Sequence, residues 1–156
     1  MKKLTFILFF VITISGYCQK EKYDLSEIPN KANKIIITNS STAEENYMFV
    51  GKLLVQNGYG LKIANKDFGQ FETEPRPMNR NQGWKVIFNI AVADSSISIT
   101  GLFTQGISVS FSRNVKNEAS YYKIQKLAKG IYDNTGIYEM TDFALKFGSD
   151  IKYVIQ

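Results

Sequence analysis

Carboxylates come closest to catalytic chemistry in this chain. Glu72 and Glu74 stand two residues apart in a stretch that alternates like a strand. Strand geometry therefore puts them on one face, roughly 7 Å apart. Paired carboxylates divide the acid and nucleophile roles in glycosidases, but alternating charge is also what any solvent-facing strand shows. The rest of the catalytic repertoire is thin. The chain has no histidine, and Cys18 is its only cysteine. Zinc and copper sites built on imidazole or thiolate are thereby excluded within one chain, and Ser-His-Asp and Cys-His catalysis with them. Asp67-Phe68-Gly69 matches a kinase tripeptide without the rest of that signature set, and reads as a hairpin turn. Asn39-Ser40-Ser41 fits a glycosylation triplet, and the same residues serve equally as a helix start. No catalytic residue, metal or cofactor is expected, and Glu72 or Asp94 would carry a hydrolase if there is one.

Binding chemistry is better represented. Arg76 and Arg80 lie on a polar connection, residues 75–83, beside Trp84, the only tryptophan. Arginine and tryptophan are enriched at binding hot spots, and functional residues favour loops on a rigid scaffold. The competing explanation makes Trp84 the first core residue of its strand and leaves the arginines solvated. Tyr121 and Tyr122, with Tyr132 and Tyr138 further on, form either an aromatic ligand patch or the tyrosines that pack helices onto a sheet. Arg76, Arg80, Trp84, Tyr121 and Tyr122 are the candidate binding residues.

Residues 1–18 carry an address. Lys2 and Lys3, a largely apolar run from Leu4 to Ile14 and the small residues Ser15 and Gly16 follow the order of a secretory signal peptide. The run is shorter than the ~20 apolar residues of a membrane span. Removing 18 of 156 residues leaves 138, enough for one domain. It also takes two of the 19 basic residues, leaving 17 against 14 acidic, a net +3. No Lys/Arg run of the kind that neutralises consecutive phosphates remains, so nucleic acid is not an expected partner. No disulfide can form inside that domain, so the core must supply the stability, at roughly 1.5–3 kcal/mol for each large buried side chain. Cys18 is either the lipidated first residue of a lipoprotein or the residue before a signal-peptidase cut. Tyr17 is bulky where the lipoprotein signal wants a small residue. The expected product is therefore soluble, periplasmic or secreted, with an outer-membrane-anchored lipoprotein as the alternative.

The elements that must position these groups follow from periodicity. Residues 19–33 are polar and read as a linker or N-terminal arm, before a single α+β domain over 34–156. Residues 34–38 (KIIIT) are the first strand. Ser41 with Glu44, or Thr42 with Glu45, makes a capping box for a helix through Ala43, Tyr47, Val50 and Leu54 that ends at Asn57-Gly58. The period then switches to two. Strands run through Tyr59–Ile63 positions, through Phe71 and Thr73 until Pro75 and Pro77 stop them, and through Trp84 to Val92. Further strands follow through Ile97 to Phe103 and through Ile107, Val109 and Phe111. Helices are expected over 118–129, through Tyr121, Ile124 and Ala128, and over 136–147, with Gly148 as C-cap. Ile151, Tyr153 and Ile155 add an edge strand. The sum is an antiparallel sheet of about five to seven strands with two or three helices on one face.

The segment NGYGLKIANKDFGQFETEP, after a helix and before a Trp-led strand, resembles small exported bacterial proteins with a TBP-like or helix-grip fold. Accessory lipoproteins of the outer-membrane assembly machinery and several Bacteroidetes proteins are of this kind. The resemblance spans about residues 34–103 and rests on Gly58-Tyr59, Asp67 to Gly69 and Phe71 to Thr73. It implies a fold and carries over no catalytic or binding residue. The expected function is a non-enzymatic envelope domain that binds a protein or small ligand through a sheet face or the 75–83 loop. An apolar-ligand carrier or a carboxylate-dependent hydrolase is the alternative.

Overall fold

The computed structural model describes residues 27–104, 120–127 and 134–156. In chain order these form β1 (Lys34–Thr38), α1 (Ala43–Gln56), β2 (Leu61–Asn65), β3 (Gln70–Thr73), β4 (Arg76–Pro77) and β5 (Lys85–Ala93). They continue with β6 (Ser96–Thr104), β7 (Tyr122–Lys123), α2 (Thr135–Ala144) and β8 (Ile151–Val154). All pairings are antiparallel, in the order β2-β3-β5-β6-β1-β8, with β4 on β5 and β7 on β6. The α+β class holds; among the described residues the strand count reaches eight because β4 and β7 are two-residue strands. The expected signal segment with Cys18, the arm as far as residue 26, the strand through Ile107, Val109 and Phe111, and Tyr132 lie outside the described residues.

Alternation sorts the sheet into two faces. Ile35 and Ile37 of β1 lie opposite Ile99 and Ile97 of β6, which lie opposite Ile90 and Val92 of β5. All six are buried, and both helices cover this face. Phe143 of α2 stacks on Phe88 of β5 with centroids 4.3 Å apart, and Tyr47 of α1 stacks on Phe71 of β3 at 4.4 Å. Of the two capping boxes open to α1, Thr42 with Glu45 forms. The Asp94 carboxylate accepts a further bond from the Ala43 N–H at 2.7 Å, tying the β5–β6 turn to the helix start. Asn46, buried in the first turn of α1, is a polar pin that an apolar pattern cannot reveal. Its side chain bonds Asn39 and donates to the Ala93 carbonyl. Gly58 leaves the helix at φ +70, where a Cβ would be strained.

Several expectations change. Residues 120–127 are not helical: Tyr122 and Lys123 pair with Phe103 and Leu102. The reason is Ile124. It is fully buried between Gly101 and Gly136, whose missing side chains make its space, and its N–H donates to the Gly101 carbonyl at 2.9 Å. Tertiary packing outweighs the helical spacing. The 75–77 segment does not simply end pairing, because Arg76 and Pro77 align with Val86 and Lys85, and Met78 behind them is in the core. The last helix runs Thr135–Ala144 and gives way to a turn over 145–147, before Gly148 is reached. The arm joins the fold at its end: Ile28 and Ala32 belong to the core, and Lys126 clasps it through its backbone N–H and its ammonium.

Candidate functional site

The 75–83 loop was one of the two places where binding was expected, and its cations are already engaged. Arg76 donates to the Asn57 carbonyl at 3.0 Å and lies 4.4 Å over the Tyr59 ring. Burial raises the Tyr59 phenol above its ordinary pKa; Arg76 pulls against that shift and Glu139 adds to it. Arg80 donates from Nε and Nη2 to one oxygen of Asp142, at 3.2 and 2.9 Å, with its guanidinium 5.3 Å from the Tyr138 centroid. Glu139, only 3% exposed, is held from the same loop. It accepts from the Asn79 backbone N–H at 3.2 Å and from the Asn79 amide at 2.7 Å. A buried carboxylate is tolerable only with such partners. Asn79 and Arg80 thus bolt loop 75–83 to α2, and Arg76 ties it to the end of α1.

Trp84 and Tyr122 meet in a row that neither residue announces alone. Trp84 stacks on Phe103 at 5.4 Å, and Phe103 contacts Tyr122 at 5.8 Å. Phe103 is the link, an ordinary strand residue by its spacing alone. The row lies on the helix-bearing side of the sheet, since Phe103 is paired with Val86. Tyr121 parts from its neighbour. Alternation carries it to the opposite face, and there its phenol contributes to raising the Lys62 ammonium, a shift led by the hydrogen bond and charge of Glu72.

That opposite face carries neither helix. One row crosses it through Ile63, Glu72, Asn89, Thr100 and Lys34, each opposite the next on a neighbouring strand. A second row runs through Gln70, Ala91, Ser98 and Ile36. Ala91 and Ser98 are small, and a depression of about 340 Å³ opens over these rows, lined in part by Lys34, Gln70, Asn89, Ser98 and Thr100. Its floor offers amides and hydroxyls, which donate and accept together. Glu72 at its edge is bonded to Lys62 at 2.7 Å, while Glu74 lies over Gly60, where a Cβ would collide with its carboxylate. The two glutamates do not share the depression. A second open depression, of about 430 Å³, lies between the start of α1 and the β2–β3 turn, beside the exposed Phe68. Of its charges, Glu44 and Lys66 are paired at 2.7 Å. Among the described residues no three metal-ligating side chains gather, and no helix is long and apolar enough to cross a membrane.

No family model, curated protein or solved structure matches the chain. What the open face can do follows from its own geometry. The polar floor went unread in the sequence because its residues sit at the off-positions of strands recognised by their apolar partners. Asn89, Ser98 and Thr100 were present as the alternation itself, but their convergence depends on register.

Proposed function

We propose that the chain is an exported, non-enzymatic binding domain of the cell envelope whose ligand sits on the open face of the sheet. One observation carries this reading: hydrogen-bonding side chains from β3, β5 and β6, with Lys34 of β1, converge on one open depression on the face that carries neither α1 nor α2. The engagement of Arg76 and Arg80 by Asn57 and Asp142 favours this face over the 75–83 loop. Glu72 is bonded to Lys62, and Asp94 caps α1, which favours binding over carboxylate hydrolysis. Both depressions are open to solvent and lined by mixed side chains, which favours surface recognition over an enclosed apolar carrier. The signal-like order of residues 1–18 and the resemblance of 34–103 to small exported proteins support the location.

Ser98→Trp fills the depression from its floor, whereas Met48→Trp places the same bulk on the exposed outer side of α1. Purified wild-type protein and the Met48 variant should be retained by immobilised envelope extract, and the Ser98 variant should not. Equal retention of both variants overturns the reading. Intact-mass measurement of the exported product should show a chain beginning at Gln19; a diacylated Cys18 would replace the soluble product with an anchored one.

A further inference from the structure

The charges of this domain are segregated between its layers. Register places Lys34, Lys85, Lys123 and Lys152 on the open side of the sheet, where Lys62 reaches Glu72 and Glu74 follows Glu72 by alternation. The two helices on the other side carry Glu44, Glu45, Glu139 and Asp142 against Lys52. With five lysines against two glutamates, the open face is therefore three charges positive and the helices three negative. Three of the lysines form a track. β7 continues the lane of β1 beside β6, with Lys123 at the level of Leu102 and Lys34 at the level of Thr100. Two residues along a strand make that step roughly 7 Å. Lys152, opposite Ile36 on β8, is the next diagonal neighbour at about 7–8 Å. Lys34, Lys123 and Lys152 have no ion-pair partner among the described residues.

We propose that the open face binds a linear acidic polysaccharide, with the lysine track on its carboxylates and the recessed floor on its hydroxyls. This rests on the open-face reading above. A chain lying in the depression would use both parts of the site. Asn89, Gln70, Ser98 and Thr100 bond sugar hydroxyls, and Lys34, Lys123 and Lys152 neutralise the charges along one side. A bilayer surface would touch the raised lysines and leave the recessed amides unpaired. Nucleic-acid recognition would favour arginine forks and successive stacking aromatics, whereas this track is built from lysine.

The test uses the purified protein with polygalacturonate as probe, neutral dextran as control, and phosphatidylglycerol vesicles and duplex DNA as competitors. Polygalacturonate should bind and dextran should not. Raising salt from about 50 to about 200 mM should weaken binding roughly 20- to 50-fold if three to four charges are neutralised with a single-strand-like slope. Each of Lys34→Gln, Lys123→Gln and Lys152→Gln should weaken it about fivefold, and Lys52→Gln on α1 should leave it unchanged. Unaltered thermal melting will show that the variants keep the fold. Salt-independent binding, equal binding by the triple lysine variant, or tighter binding of vesicles or DNA through the same lysines overturns the polysaccharide assignment. If the triple variant is still retained by envelope extract while Ser98→Trp is not, this inference fails and the open-face reading stands. Retention of Ser98→Trp removes both.

Discussion

Gly101→Ala is the substitution that most directly tests how the sheet closes around Ile124. A Cβ at Gly101 would lie 2.6 Å from Ile124 Cδ1 and 3.3 Å from both the Ile87 carbonyl oxygen and Phe88 Cδ1. Ile124 is fully buried and also meets Gly136, so its terminal methyl has little room to withdraw. Overpacking of this kind costs about 1–3 kcal/mol, and alanine recovers about 0.5–1 kcal/mol of strand preference over glycine. A net loss of about 1–2 kcal/mol is expected. In domains of this size range each kcal/mol lowers Tm by about 2–8 °C, well within reach of calorimetry. Ile124→Val removes the clashing Cδ1 and by itself costs about 0.5–1.5 kcal/mol. In that background Gly101→Ala should become nearly neutral, a favourable coupling of about 1 kcal/mol between residues in contact. A neutral Gly101→Ala, or strict additivity with Ile124→Val, would refute the packing. It would return residues 120–127 to the helix that their spacing suggests.

Asn79→Ala removes one amide donor from buried Glu139 and should lower urea stability by about 1–3 kcal/mol. Thr73→Val leaves the buried Phe88 N–H without its acceptor at 2.9 Å and should cost a similar amount, whereas Thr73→Ser should be tolerated. Tyr59 and Tyr153 have phenols raised by burial. The folded state therefore holds these protons more tightly than the unfolded chain, so their contribution is complete below about pH 10 and is lost as pH climbs through the folded values. Stability should fall on the alkaline side, and ultraviolet titration should show late-ionising tyrosines. Arg76→Met should push Tyr59 later still, because Arg76 opposes the shift; an earlier Tyr59 would contradict the contact.

The inner face of this protein was legible and the outer face was not. Ile35, Ile37, Val86, Phe88, Ile90, Val92, Ile97 and Ile99 announce themselves by alternation, and Ile137, Met140, Phe143 and Phe147 by helical spacing, because burial imposes a period on apolar residues. Thr42, Glu45 and Gly58 mark helix ends through chemistry local to the backbone. Signals failed where a residue answers to a distant partner. Ile124 looks helical until Gly101 is beside it, and Arg76 looks solvated until Tyr59 lies beneath it. Asn46 and Glu139 break their helices' apolar stripes for partners 47 and 60 residues away.

The lysine track exposes the same blindness in charge. A run of Lys and Arg along the chain is a fair sign of a cationic surface on a helix or an arm, where neighbours in sequence can share a side. In a strand, adjacent residues face opposite ways, so a cationic sheet face must be assembled from lysines scattered over several strands. Lys34 and Lys123 become neighbours only because β7 takes up the lane that β1 vacates beside β6. Net charge hides the result further, because carboxylates on α1 and α2 offset the sheet lysines in the total while sitting on the other layer. The absence of a basic run therefore argued against a polyanion only for helical or unstructured presentation. For this fold the relevant quantity is charge per face, and that becomes countable only once the strand register is known.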